Sequence, residues 1–255
     1  MLVFFSLNLT GLKAQPSENK GLEIARKAEE ADRGFQSSTV SLKMILRNQN
    51  GQVSERLLSN QILELTEDGD KSLIVFHSPR DVNGTATLTY THKTGPDDQW
   101  LYLPAVARVK RISSDNKSGP FMGSEFAYED LSSQEVEKYA YKYLRSERLN
   151  GFNTEVVERD PVDEKSGYTR QVVWYNKDKN YRLEKIEFYD RKNALLKTLT
   201  YHDYRQYENK FWRAARMLVV NRQTGKETEL LFDHYAFKTG LTDMDFTQNS
   251  LKRAK

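Results

Sequence analysis

A mainly β fold, built as one strongly curved antiparallel sheet with a few helices, is what this 255-residue chain predicts. Three observations carry that expectation. From about residue 39 onward, short stretches alternate apolar and polar residues, the period of a strand with one buried face. Gly, Pro, Asn and Asp separate these stretches, as hairpin turns require. Roughly a dozen of them follow one another with no linker, repeat or low-complexity tract, more strands than an open sheet carries without curling.

The elements follow in order. Ser17 is suited to cap a helix over 17–33, with Leu22, Ala25, Ala28 and Ala31 on one face and Gly34 as its stop. The period then changes to two. Strands are expected over 39–47, 53–65, 73–77, 84–92, 99–103 and 108–113, with Asn50-Gly51 and Gly95-Pro96 among the turns. After a non-strand insertion, further strands are expected over 139–149, 154–159, 168–176, 181–189, 194–204, 211–221 and 227–237. Several late strands are apolar on both faces: Val172 and Trp174 oppose Val173 and Tyr175. An enclosing curved sheet and a two-layer sandwich account for that pattern equally well.

Composition narrows the function classes. Lys and Arg total 39 against 36 Asp and Glu, a net charge of +3, too small to indicate nucleic acid. There is no cysteine. Met1 to Ala14 (MLVFFSLNLTGLKA) is a short apolar run ending in a small residue, the pattern of an export signal, although no basic residue precedes it. Residues 1–14 are therefore expected to be a signal peptide and 15–255 a single soluble domain. The absence of thiols suits the periplasm.

The central segment is the most distinctive. Asp97-Asp98-Gln99-Trp100-Leu101-Tyr102-Leu103-Pro104 leads into Arg108-Val109-Lys110-Arg111-Ile112, which puts two cations on one strand face and one on the other. Gly119, Pro120 and Gly123 flank Phe121 and Met122, two large apolar side chains on a flexible tether that must cover an apolar surface. Phe126, Tyr128-Glu129-Asp130-Leu131 and a short helix over 132–139 complete what reads as a flap over one mouth of the sheet.

Here the sequence resembles the LolA-like periplasmic outer-membrane lipoprotein-sorting proteins. Residues 98–112 match that family's central signature, and Phe121-Met122-Gly123-Ser124-Glu125-Phe126 extends it. Gly167-Tyr168, Val172-Val173-Trp174, Ile186-Glu187-Phe188-Tyr189-Asp190 and Leu196-Lys197-Thr198-Leu199 resemble the rest. The resemblance implies an unclosed antiparallel β-barrel with helices lidding an apolar cavity that receives acyl chains of a lipid or lipoprotein. It also implies shuttling between inner and outer membranes beside an exporter of the resistance-nodulation-division type, with an outer-membrane acceptor. On this reading Trp100, Tyr102, Phe121, Met122, Phe126, Tyr128 and Trp174 form lid and cavity. Arg108, Lys110 and Arg111 meet a lipid headgroup or an acidic partner, or else stand solvated.

Catalytic patterns are missing. His77, His92, His202 and His234 lie in separate strands without metal-ligand spacing. Nucleophile elbow, P-loop and dinucleotide fingerprint are all absent. His202-Asp203 and Asp233-His234 are adjacent, and strand neighbours point to opposite faces. The sequence therefore predicts a monomeric, non-enzymatic carrier with no cofactor, metal or nucleic acid. The alternative is a lipid or lipoprotein sensor that regulates a partner protein.

Overall fold

The computed structural model describes residues 16–253. The expected signal peptide lies outside the described residues. Helix α1 (Pro16–Asp32) comes first, buries Gly21, Ile24 and Ala25, and ends just before Gly34. Thirteen strands then form one antiparallel sheet. They are β1 (Ser37–Arg47), β2 (Val53–Leu63), β3 (Lys71–Ser78), β4 (Ala86–Tyr90), β5 (Asp98–Leu103) and β6 (Arg108–Ile112). The second half supplies β7 (Tyr139–Leu149), β8 (Phe152–Pro161), β9 (Tyr168–Asn176), β10 (Arg182–Asp190), β11 (Leu195–Tyr207), β12 (Phe211–Asn221) and β13 (Glu227–Phe237). A short helix, α2 (Gln248–Arg253), ends the described chain.

Each half is a meander, and the halves join through β1 and β13 at the centre of the sheet. Strands β6 and β7 are the two edges and do not pair with each other, so the barrel stays unclosed. The single sheet decides between curl and sandwich. Its inner face carries Val40, Leu42 and Met44 of β1, Leu58, Phe76, Val157, Val173, Ile186, Leu199, Val219 and Leu230, which form one core together with Ile24 and Ala25 of α1. Only a sheet curled around that core lets strands so far apart share it.

The outer face is covered in two places. Leu73, Val75, Ala86 and Leu88 pack beneath Phe246 and Leu251 of the C-terminal segment, with Trp100 and Tyr102 at the margin. Val156, Val172 and Trp174 form a smaller cluster with Leu144, Leu149 and Tyr189. These clusters explain the strands that are apolar on both faces.

Two local expectations change. The helix expected over 132–139 is only a 3-10 turn, Val136–Lys138, because the segment runs extended until Glu135. Asp233 and His234 do not diverge: His234 sits at φ 55°, a bulge against β1, and its Nε2 lies 3.1 Å from Asp233 Oδ2. Both side chains are well exposed, so the pair is solvated.

Helix α1 approaches β7 at Gly21. A Cβ there would lie 2.9 Å from the Tyr143 nitrogen and 3.1 Å from the Lys142 carbonyl carbon, both backbone atoms that cannot step aside. Gly21→Val is expected to lift α1 from the sheet at a cost of about 1–3 kcal/mol. Chemical denaturation against the parent measures this, and an unchanged midpoint contradicts the close approach.

Candidate functional site: a cavity beneath helix α1

The trough formed by the inner face is filled at one end and open at the other. Residues 118–131 fill the first end. A small hairpin, bridged at Pro120 and Ala127, drives Phe121 into the core, where its ring lies 5.7 Å from Phe76 and 5.6 Å from Tyr128. Phe121 is 1% exposed. Met122 takes a left-handed conformation (φ 49°, ψ 34°), and its carbonyl accepts from the Arg56 guanidinium. Asp130 accepts from the Ala127 amide (2.7 Å), the Tyr168 hydroxyl (2.9 Å) and the Lys197 ammonium (2.5 Å). Glu129 accepts from Ser166 and the Gly167 amide, and Gln99 donates to the Tyr128 carbonyl. Burial raises the Glu129 pKa, with the Asp130 charge adding to it. The expected flap on a flexible tether is thus a plug bolted to β5, β9 and β11 by buried hydrogen bonds.

At the other end, between α1 and the inner face, lies a cavity of about 1060 Å³. Ala25 and Ala28 of α1 form its roof, and Tyr175, Tyr201, Met217 and Tyr235 form much of its wall. Arg159 stands in its floor. Charges ring the mouth and are largely matched. The Arg213 guanidinium meets the Asp32 carboxylate, and Lys238 pairs with Glu208 at 2.8 Å. Glu64 accepts from the Gly34 and Gln36 amides at 2.7 and 2.6 Å, fixing the turn from α1 into β1. Tyr204 donates to the Leu183 carbonyl, and the Arg182 guanidinium stacks 4.0 Å from the Tyr204 ring centre. The result is a chamber with an apolar, tyrosine-bearing wall and a polar rim, the build of a site for a hydrophobic ligand.

The residues singled out from sequence fall elsewhere. Trp100 and Tyr102 point to the outer face under the C-terminal segment, and Trp174 lies in the second outer cluster. Phe121, Met122, Phe126 and Tyr128 do gather on the inner side, as the plug. None of the seven lines the large cavity; Phe126 borders a more open hollow of about 720 Å³ beside the plug. Strand parity explains the split, since Trp100 and Tyr102 sit opposite Leu88 and Ala86 while Leu101 faces inward beside Thr87. Arg108 and Lys110 are exposed on the free edge strand β6, with no ionic partner among the described residues. Arg111, on the other face, binds Asp98, which also sits 3.3 Å from His92.

Where α1 meets the 132–138 segment, carboxylates crowd. Oxygens of Glu29, Glu135 and Glu137 lie within 4.8 Å of one another, in the only such group of metal-ligating types among the described residues. Glu29 already pairs with Arg33 at 3.0 Å and Glu137 is exposed, so the cluster is better read as charge repulsion than as a cation cage. Burial, and then the Asp70 and Glu29 charges, push Glu135 up to about 7 against partial relief from Lys138 and Lys93. Burial likewise raises Asp70 to about 6. A carboxyl whose folded pKa is raised costs stability as pH rises from its unfolded value through its folded one. His92, raised by its bond to Asp68, acts in the same direction near neutrality. The melting temperature is therefore expected to rise by a few °C between about pH 7.5 and pH 5, and to rise less in Glu135→Gln. A flat profile contradicts the crowding.

Comparisons with known proteins agree with this fold. A family model described only as an uncharacterized protein matches residues 68–253. A crystal structure of an outer membrane lipoprotein-sorting protein domain from Vibrio parahaemolyticus is 56% identical, covering 92% of this chain and 100% of its own, with a TM-score of 0.91. The chain belongs to the outer-membrane lipoprotein-sorting protein family. A DUF1329 family protein from Desulfovibrio piger is 29% identical over 93% of this chain and 100% of its own, with a TM-score of 0.87. A LolA superfamily protein from Nitrosomonas europaea, 21% identical over 90% of this chain and 98% of its own (TM-score 0.72), shares the fold. A comparison with curated proteins returned no match. As expected for a LolA-like chain, the protein is mainly β with an unclosed sheet. No helix among the described residues is long and apolar enough to cross a membrane.

Proposed function

We propose that this protein is a non-enzymatic periplasmic carrier that holds acyl chains of a lipid or lipoprotein in the cavity beneath α1. One observation carries the reading: a chamber of about 1060 Å³ under an amphipathic helix, walled by Tyr175, Tyr201, Met217 and Tyr235. That volume lies just above the range, roughly 300–1,000 Å³, that small-molecule sites occupy. Burial supplies about 0.8 kcal/mol per CH₂ relative to water, so a chain of about sixteen carbons gains on the order of 10 kcal/mol, about what it gains in a bilayer, which keeps transfer between the two near balance. Membership of a lipoprotein-sorting family supports the same class of cargo.

Release then needs a part that yields. Helix α1 buries few residues and is tied at its ends by Lys20 over the Tyr143 ring (3.5 Å) and by the Asp32–Arg213 pair. It is a better gate than the bolted plug. Transfer partners at either membrane, including an exporter of the resistance-nodulation-division type, would find unpaired cations at Arg108 and Lys110 on the open edge β6. The test is mass spectrometry of organic extracts from protein purified without detergent. A near-stoichiometric acylated molecule is expected. A clean apo-protein that also takes up no fluorescent fatty acid overturns the carrier reading and favours a sensor acting through protein contacts.

A further inference from the structure

The cavity floor holds a charge that the fold leaves unanswered. Arg159 is 3% exposed and lines the cavity. Its Nε donates to Gln171 Oε1 at 2.9 Å, and its Nη2 donates to the same oxygen at 2.6 Å and to Gln134 Oε1 at 2.7 Å. Around it stand Tyr139, Tyr141, Tyr175 and Tyr201, with the Tyr139 ring centre 4.4 Å from the guanidinium carbon. All of these partners are neutral. Burial raises the four hydroxyls above the ordinary phenol value, so none of them supplies a tyrosinate. No carboxylate among the described residues pairs with Arg159.

Other sequestered cations here are matched. Lys197 has Asp130 at 2.5 Å, and Arg182 has Glu184 at 3.0 Å. A guanidinium stays charged in any protein environment, and an unpaired buried charge is costly enough that it marks either a binding site or a liability. Position favours a site. Along β9, Tyr168 touches the plug and Tyr175 lines the cavity, and Gln171, the Arg159 acceptor, lies between them. Arg159 therefore stands at the inner end of the chamber, on the plug side of Tyr175, with its own side chain buried although its acceptor Gln134 reaches the surface.

We infer that the inner end receives the anionic group of an amphiphile, a carboxylate or phosphate carried on an apolar chain, with Arg159 as its counter-ion and the Tyr175 and Tyr201 hydroxyls as further donors. This rests on the reading of the cavity as a lipid site. The planar guanidinium suits an oxyanion, and the burial of Arg159 strengthens the contact. The chain of the same molecule would run from Arg159 along Met217 and Tyr235 towards the mouth.

The experiment compares two probes, cis-parinaric acid and its methyl ester, bound to detergent-free protein at mildly alkaline pH. An uncharged apolar cavity prefers the ester, the more apolar of the two. The acid is instead expected to bind more tightly by about tenfold, about 1.4 kcal/mol. In Arg159→Met that acid-to-ester ratio is expected to fall to one or below, with folding checked by circular dichroism and melting. The ratio is the readout, whatever happens to either affinity alone. Should the variant not fold, the wild-type ratio decides. Equal binding, or preference for the ester, overturns the inference while leaving the carrier reading intact. Failure of both probes to bind overturns both. Displacement of the acid by millimolar inorganic phosphate assigns the floor to a free anion and overturns the amphiphile.

Discussion

Phe121→Ala is expected to destabilise the protein by about 3–5 kcal/mol, the usual cost of removing a fully buried phenyl group. The side chain is 1% exposed and wedged between Phe76 and Tyr128, and the hairpin that carries it is pinned on both sides. Relaxation cannot refill the hole, because Asp130 holds the hairpin to Lys197 and Tyr168 through buried contacts. Urea unfolding measures the effect. A loss below about 1 kcal/mol would mean that residues 118–131 lie loosely over the trough, as a movable flap does. The same geometry says that Phe121→Asp perturbs folding rather than ligand retention.

Met217→Asp is expected to act the other way, weakening uptake of a fluorescent fatty acid by about tenfold or more while leaving the fold standing. Met217 is only half-buried and lines the cavity, so in the empty protein a carboxylate there stays hydrated. An incoming acyl chain must strip that water, and an unpaired carboxylate against hydrocarbon is costly. Fluorescence titration with a melting curve on the same sample separates binding from folding. Unchanged uptake in a folded variant would place the acyl chain elsewhere.

The sequence disclosed the strands far better than the site. Period-two stretches such as Val40, Leu42 and Met44 mark inward positions, and the turns between them separate thirteen strands cleanly. Parity says that Trp100 and Leu101 face opposite ways, but it does not say which way is in. That depends on the C-terminal segment, where Leu241, Phe246 and Leu251 follow neither strand nor helix period and yet cover the outer face. Trp100 and Tyr102 consequently looked like cavity residues. Phe121 and Met122, flanked by glycines, looked tethered and mobile; the buried acceptors that hold them come from Asp130 and Glu129, whose partners Lys197, Tyr168 and Gly167 are far away in sequence. Arg159 was silent for a related reason. An arginine in a strand is ordinarily solvated, and only the assembled sheet puts Gln134, Gln171 and four tyrosines around it.

The location of the ligand is the centre of the account, and photo-crosslinking addresses it directly. A fatty acid carrying a diazirine near the end of its chain, loaded into detergent-free protein and irradiated, marks its neighbours for peptide mass spectrometry. Adducts are expected on peptides carrying Met217 and Tyr235 or on the α1 peptide carrying Ala28, and competition with unlabelled fatty acid should erase them. Saturable adducts confined to the outer-face residues Trp100, Tyr102 and Trp174, or to the plug around Phe121, would contradict a ligand site beneath α1.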